Sequence, residues 1–251
     1  MKIVVIGGSG LIGTKLVKSL RTLGHEVIAA SPKSGVDTIT GAGLADALKG
    51  AEIVVDVANS PSFEDAAVLA FFETSGKNLL AAEAIAGVKH HIALSVVGTE
   101  RLQESGYFRA KLAQEKLIKA SAIPYTIVHA TQFFEFVSGI VQAGTKDDTI
   151  VMSTAMVQPI ASDDVVAKMT EITLGNPLNA TVEVAGPELF RLNDLVKKYM
   201  LLKQDEREVV SDRDAPYYGA KLETHSLIPG EAASIGKIPY DSWINEPGNL
   251  K

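Results

Sequence analysis

With 251 residues, 46% of them hydrophobic, the chain has the material for a sizeable core and for one or two units of ordinary domain size. Its 24 Lys and Arg against 30 Asp and Glu give a net charge of −6 with no basic run, which argues against nucleic acid and anionic membrane as partners. The absence of cysteine excludes disulfides, thiolate catalysis and cysteine-held metals.

The chain opens on an apolar run over residues 1–6, too short for a signal peptide, whose β-branched residues predict a strand over 2–6. No apolar run approaches the ~20 residues of a membrane span, so a soluble cytoplasmic protein is expected. Gly7-Gly8-Ser9-Gly10-Leu11-Ile12-Gly13 follows at once, and an amphipathic helix is predicted over 11–23. Strand, glycine loop and helix in this order make a dinucleotide-binding arrangement. Gly7 permits the tight turn, Gly10 lets the backbone approach a pyrophosphate, and Gly13 lets the helix pack close to the sheet. Ser9, Leu11 and Ile12 complete the loop, and the positive end of the helix would face the phosphates. The spacing is Gly-x-x-Gly-x-x-Gly, not the commoner Gly-x-Gly-x-x-Gly.

A second strand over 26–30 leads into Ser31-Pro32-Lys33. An acid at its end would bind the adenosine ribose and favour NAD. None stands there. Ser31 could hydrogen-bond a 2′-phosphate and Lys33 could neutralise it, which favours NADP with NAD possible.

Strands are predicted next over 38–40, 53–57, 91–95 and 125–129, and helices over 44–49, 64–86 and 107–121. This alternation predicts an α/β fold, a Rossmann-type doubly wound parallel sheet. His90 and His91 read as a solvated corner, with no metal site expected. Ser95 falls at the end of a strand, and Tyr107 and Lys111 follow at i, i+4 on one helix face. A lysine beside a tyrosine lowers the phenol's pKa and fits it for acid/base work, with the serine orienting a substrate oxygen. Carbonyl–alcohol hydride transfer needs such a proton donor beside the atom that receives hydride. His129, ending the sixth strand near the expected nicotinamide, could contact substrate or cofactor but reads first as a structural histidine.

Beyond the sixth strand, the segment Gln132-Phe133-Phe134-Glu135-Phe136 lies where open α/β sheets bind ligands, and its aromatics suit a flat apolar substrate. Two of its three phenylalanines are expected in the core instead. Asp147-Asp148 reads as a turn, and Ser162-Asp163-Asp164 as the N-cap of a helix reaching residue 174. Short strands over 149–152, 157–160 and 181–185 and a helix over 192–202 follow. The Pro-, Gly- and Tyr-rich tail resists assignment; Tyr217, Tyr218 and Trp243 there either line the far wall of a site or anchor the tail. The expected division is a nucleotide-binding domain over 1–150 and a small C-terminal α+β substrate region over 151–251, packed on it as one compact unit.

Taken together, Gly7 to Gly13, Asp56-Val57-Ala58-Asn59-Ser60-Pro61, Ser95-Val96-Val97-Gly98, Tyr107-Phe108-Arg109-Ala110-Lys111, Ala130-Thr131-Gln132-Phe133-Phe134 and Pro159-Ile160-Ala161-Ser162-Asp163-Asp164-Val165 resemble the short-chain dehydrogenase/reductase superfamily, in particular its atypical NmrA-like branch. The resemblance spans about two-thirds of the chain in the family's order. It implies an NADP-binding Rossmann domain. Ala58, Asn59 and Ser60 would border the adenosine and ribose, Ser95 and Val96 would approach the nicotinamide, Lys111 would hold its ribose, and Gln132 and Phe133 would cover it. The branch holds reductases of quinones and similar small molecules, and also NADP-binding redox sensors that turn nothing over. The expected function is an NAD(P)H-dependent oxidoreductase of a small carbonyl or quinone-like substrate. A sensor is the alternative, and a nucleotide-sugar epimerase or dehydratase a second one. Oligomeric state is not legible.

Overall fold

The β-branched runs and the helices between them build a parallel sheet covered on both faces. The structure, a computed structural model, describes residues 1–249. The first half runs β1 (Lys2–Ile6), α1 (Leu11–Thr22), β2 (Glu26–Ala30), α2 (Leu44–Leu48), β3 (Ile53–Asp56), α3 (Asp65–Ala86), β4 (His90–Val96), α4 (Gly106–Ala120) and β5 (Tyr125–Ala130). Then come α5 (Val137–Gly144), β6 (Thr145–Lys146), β7 (Thr149–Met152), β8 (Met156–Val157), α6 (Ser162–Leu174) and β9 (Ala180–Ala185). The chain finishes with β10 (Phe190–Arg191), α7 (Leu192–Leu202), β11 (Glu208–Ser211), β12 (Ser234–Ile235) and α8 (Tyr240–Ile244).

The main sheet has seven parallel strands in the order β12-β9-β5-β4-β3-β1-β2. Its last two strands come from beyond residue 150. Strand order reverses beside β1, so the loop after β1 opens at the switch point where such sheets bind ligands. Alternate side chains go to opposite faces. Ile3, Val5, Val55, Ile92 and Val128 pack with Leu16 and Leu20 of α1 and Val165 and Met169 of α6. Val4, Ile6, Val54, Ala93 and Ile127 pack with Leu79 and Leu80 of α3 and Ile118 of α4. A third cluster gathers Phe134, Ile140, Leu195, Tyr240 and Trp243 and holds the C-terminal region on the carboxyl end of the sheet. Trp243 thus anchors the tail.

Several expectations are corrected. Residues 38–40 form a turn, not a strand. Left-handed Gly35, Gly41 and Gly43 bracket the segment, and Asn78 of α3 donates to the Thr38 and Ile39 carbonyls at 2.9 Å, so it docks on α3 and not on β2. The outer edge of β2 is closed by side chains instead: Arg21 donates to the Val27 carbonyl at 2.8 Å, and Ser34 reaches the Ala29 carbonyl at 3.1 Å. His90 and His91 are not a solvated corner. Both are 2% exposed within β4, and His91 Nδ1 lies 2.9 Å from the Glu83 carboxylate. Burial alone would lower the His91 pKa, but the Glu83 charge and hydrogen bond, with Asp56, raise it on balance. Finally, α6 starts at Ser162 with Ala161 as its cap. Glu135, from the turn after β5, accepts hydrogen bonds from the Ser162 N–H and hydroxyl and does the capping. Asp163 and Asp164 sit in the first turn, where the helix dipole favours acids. Asp147 takes φ 53° in the turn between β6 and β7, as expected of that pair. Among the described residues no helix is long and apolar enough to cross a membrane.

Candidate functional site

The glycine loop is built by close approach. Gly7 has φ 77°, and a Cβ there would sit 2.8 Å from the Ala58 nitrogen. Its carbonyl accepts from the Gly10 N–H at 2.9 Å. A Cβ on Gly13 would lie 2.2 Å from the Gly7 oxygen and 2.7 Å from the Gly8 Cα, so only glycine lets α1 rest on the loop. Gly8 is a further requirement beyond the expected three, since its Cβ would meet Ala29 of β2 at 2.7 Å. The Gly7-Gly8 pair was the available signal. α1 begins at Leu11 with Gly10 as cap, no side-chain capping bond and no acid in its first turn. Ser9, Gly10 and Leu11 are exposed there, while Ile12 is buried. An uncapped, acid-free helix start presents its N–H groups to an anion. An open groove of about 420 Å³ runs along α1 from Gly8 and Thr14 to Arg21 and Thr22, with Ala29 of β2 on its other side.

At the end of β2 the expected pair separates. Ser31 is buried at the start of a short turn, whereas Lys33 is exposed on it. Ser34 accepts from the Ser31 N–H at 2.9 Å and fixes this turn.

Ala58, Asn59 and Ser60 follow β3, and Asn59 is exposed beside the glycine loop. Their backbone is held from below. The buried Asp56 carboxylate accepts from the Ala58 N–H at 3.0 Å and from the Gln114 amide at 2.8 Å. Gln114 in turn accepts from the Lys111 ammonium, which also donates to the Leu94 carbonyl at 2.9 Å and sits 4.4 Å from the Phe72 ring centre. Lys111 is 2% exposed. Burial pushes its pKa down, Asp56 and Glu115 offset part of this, and the ammonium is left at about 8.

Ser95, Tyr107 and Lys111 therefore do not meet around one point in this structure. Ser95 shares the sheet face of Ala93 and Ile127, so strand alternation turns it under α4. Its hydroxyl donates to the buried Glu115 carboxylate at 2.6 Å, and His129 joins the same oxygen at 2.8 Å. Lys111 is spent on Leu94 and Gln114. Tyr107, half-buried in the first turn of α4, packs its ring against Phe63, Phe72 and Phe108. Its hydroxyl has no hydrogen-bond partner among the described residues. The expected lowering of its pKa is reversed: burial, and next the neighbouring Tyr218, push it up to about 12.

Past β5, Phe133 and Phe134 are buried and Phe136 is 49% exposed, stacked on Phe133 at 5.2 Å. Val96, half-buried, faces the C-terminal cluster on the side opposite Ser95. The side-chain amide of Gln132 and the hydroxyl of Thr131 are buried with no well-formed hydrogen bond among the described residues. Tyr217 and Tyr218 arrive from the tail and interact with Tyr107, and the Tyr217 hydroxyl faces Gln132. Sequence alone left these tyrosines unassigned, because nothing periodic surrounds them.

A family model described as NAD(P)H-binding matches residues 7–173. Photosystem II assembly factor Ycf39 of Cyanophora paradoxa is 25% identical over 215 residues, covering 78% of this chain and 67% of that protein. An isoflavone reductase homolog of Lupinus albus is 27% identical over 248 residues, covering 85% of this chain and 80% of that protein. The chain spans about two thirds of the length of the assembly factors it matches. A solved dTDP-4-dehydrorhamnose reductase of Clostridium acetobutylicum has the same fold, with TM-score 0.71, 19% identity and 96% of each chain covered.

Proposed function

Because the chain belongs to the NAD(P)H-binding family, whose model runs from the glycine loop into α6, we propose that it is an NADPH-dependent reductase of a small carbonyl or quinone-like acceptor. The glycine cradle and the uncapped start of α1 fit a pyrophosphate. When bound, the reduced nicotinamide supplies a hydride to the acceptor carbon. Tyr107 is the observation that carries the reading. Its hydroxyl stands at the carboxyl end of the sheet with no hydrogen-bond partner among the described residues, and a pKa near 12 keeps it protonated at neutral pH. It is thus a donor: the acceptor oxygen takes its proton, and solvent restores it. Such a phenol serves reduction and opposes the reverse oxidation, which needs the phenolate. Ser95 and Lys111 act from beneath as positioning groups, Lys111 by holding the 58–60 loop through Gln114 and Asp56.

The test follows NADPH absorbance with a panel of quinones and aldehydes. Tyr107→Phe is expected to lower kcat by about 100-fold or more, the usual worth of a general acid, with NADPH affinity unchanged. Wild-type reduction should show no loss between pH 6 and 9 that traces to Tyr107. Equal turnover in the variant would remove Tyr107 from the reaction. The withdrawal of Ser95 and Lys111 from Tyr107 favours one second reading, an NADP(H)-binding sensor. Tight NADPH binding without turnover across the panel would support it.

NADPH is preferred over NADH on the strength of Lys33 and the absence of an acid after β2. Lys33→Glu is expected to weaken NADPH binding about tenfold, the worth of one exposed charge-assisted contact, and to leave NADH binding unchanged. Titration of both cofactors decides it, and equal losses for the two would contradict the assignment.

A further inference from the structure

A buried amide with no partner is costly, and replacing it with an apolar side chain of similar shape is neutral or stabilising. Gln132 is such a group: 8% exposed, with no well-formed hydrogen bond from its amide nitrogen or oxygen among the described residues, and with the Tyr217 hydroxyl turned toward it. The adjoining Thr131 hydroxyl is equally orphaned. Both lie directly after β5, at the end of the sheet where the ligand crevice opens. A second feature points at the same place. Tyr217 and Ala220 exchange backbone hydrogen bonds of 2.8 and 3.0 Å across a two-residue turn, which forces Tyr218 to φ 46° and Gly219 to φ 85°. A left-handed tyrosine is strained, and strain of this kind gathers at ligand sites. The turn sets the Tyr217 hydroxyl facing Gln132 and close to Tyr107, with the Tyr218 ring edge-on at 4.8 Å.

We infer that Gln132 and Tyr217 are the specificity pair of the acceptor site, gripping an oxygen of a flat, uncharged, conjugated carbonyl compound between aromatic walls. The inference rests on the reductase reading for the identity of the acceptor. Neutral groups fit a neutral ligand. The charges at this end of the sheet are already engaged: Lys111 and Asp56 are joined through Gln114, Glu115 is held by Ser95 and His129, and Glu135 by Ser162. The clamp draws on the tail and on the segment after β5, not on the glycine loop, so Gln132, expected over the nicotinamide, is assigned here to the acceptor and not to the dinucleotide.

The test uses full-length protein loaded with NADP⁺, with menadione as the probe, so that no turnover is needed. Gln132→Met is expected to raise the melting temperature of the ligand-free protein by about 2–4 °C, because an orphaned amide is removed. It should leave NADP⁺ affinity within about twofold and weaken menadione binding about tenfold, the worth of one neutral hydrogen bond. Tyr217→Phe should weaken menadione binding likewise. A merely structural glutamine would move the melting temperature the other way. A lowered melting temperature, a loss of NADP⁺ affinity, unchanged menadione binding in both variants, or no binding to the wild type would each overturn the inference. Variant-sensitive menadione binding in a protein that never oxidises NADPH would sustain it and sink the reductase reading alone.

Discussion

Gly13→Ala is expected to abolish measurable NADPH binding and to cost about 1–3 kcal/mol of stability, the usual penalty for forcing a methyl into a packed site. The new Cβ would lie 2.2 Å from the Gly7 oxygen and 2.7 Å from the Gly8 Cα. Both are backbone atoms and cannot rotate aside. α1 must lift, and the phosphate-facing start of the helix moves with it. Gly10→Ala makes the control, because its nearest neighbour is the Gly7 oxygen at 3.3 Å. That variant should lose less stability than Gly13→Ala, because a shift of a few tenths of an ångström relieves the contact, and should lose affinity through crowding of the ligand. Calorimetric titration with NADPH, beside a thermal melt, separates the two effects. Wild-type affinity in Gly13→Ala would mean that the cofactor does not use this loop.

The second large effect is predicted at Glu115, 1% exposed under β4. Burial pushes its carboxyl up. The His129 hydrogen bond and charge, then Ser95 and Lys119, outweigh burial and hold it at about 2, below the ordinary 4.5. A folded-state pKa below the unfolded value contributes stability that is complete above about pH 4.5 and is lost as pH falls toward 2. The contribution at neutral pH is about 3 kcal/mol. Glu115→Gln should therefore lower the denaturation free energy by about that amount at pH 7 and by much less at pH 3. A deficit that stays constant from pH 7 to pH 3 would show that the carboxylate's charge is not the source.

Much of this architecture was legible because period and punctuation agreed. β1, β2, β7 and α7 fall where their apolar patterns place them, and the glycine loop stands in register between strand and helix. What failed was information that one sequence does not carry. In a sheet buried on both faces, strand alternation leaves no polar signature, so Ser95 could be placed at a strand end but not on a face. The i, i+4 spacing put Tyr107 and Lys111 on one side of α4, yet could not tell that Lys111 reaches Leu94 and Gln114 beneath it. His90 and His91 looked like surface residues because Thr126, the partner of His90, lies 36 residues on, and Glu83, the partner of His91, reaches it only because α3 folds back on β4. Tyr217 reaches Gln132 through a loop with no period at all.

The most direct test of the account is isotopic. Protein is mixed with NADPH deuterated at the transferring C4 position and with menadione or an aldehyde, and the product is examined by mass spectrometry or NMR. Reduced product is expected with deuterium transferred from the cofactor: retained on carbon when the acceptor is an aldehyde, and exchanged to solvent when it is menadione, matched one for one by NADP⁺. NADPH recovered unconsumed beside an unlabelled acceptor, under conditions where the cofactor is bound, would contradict it.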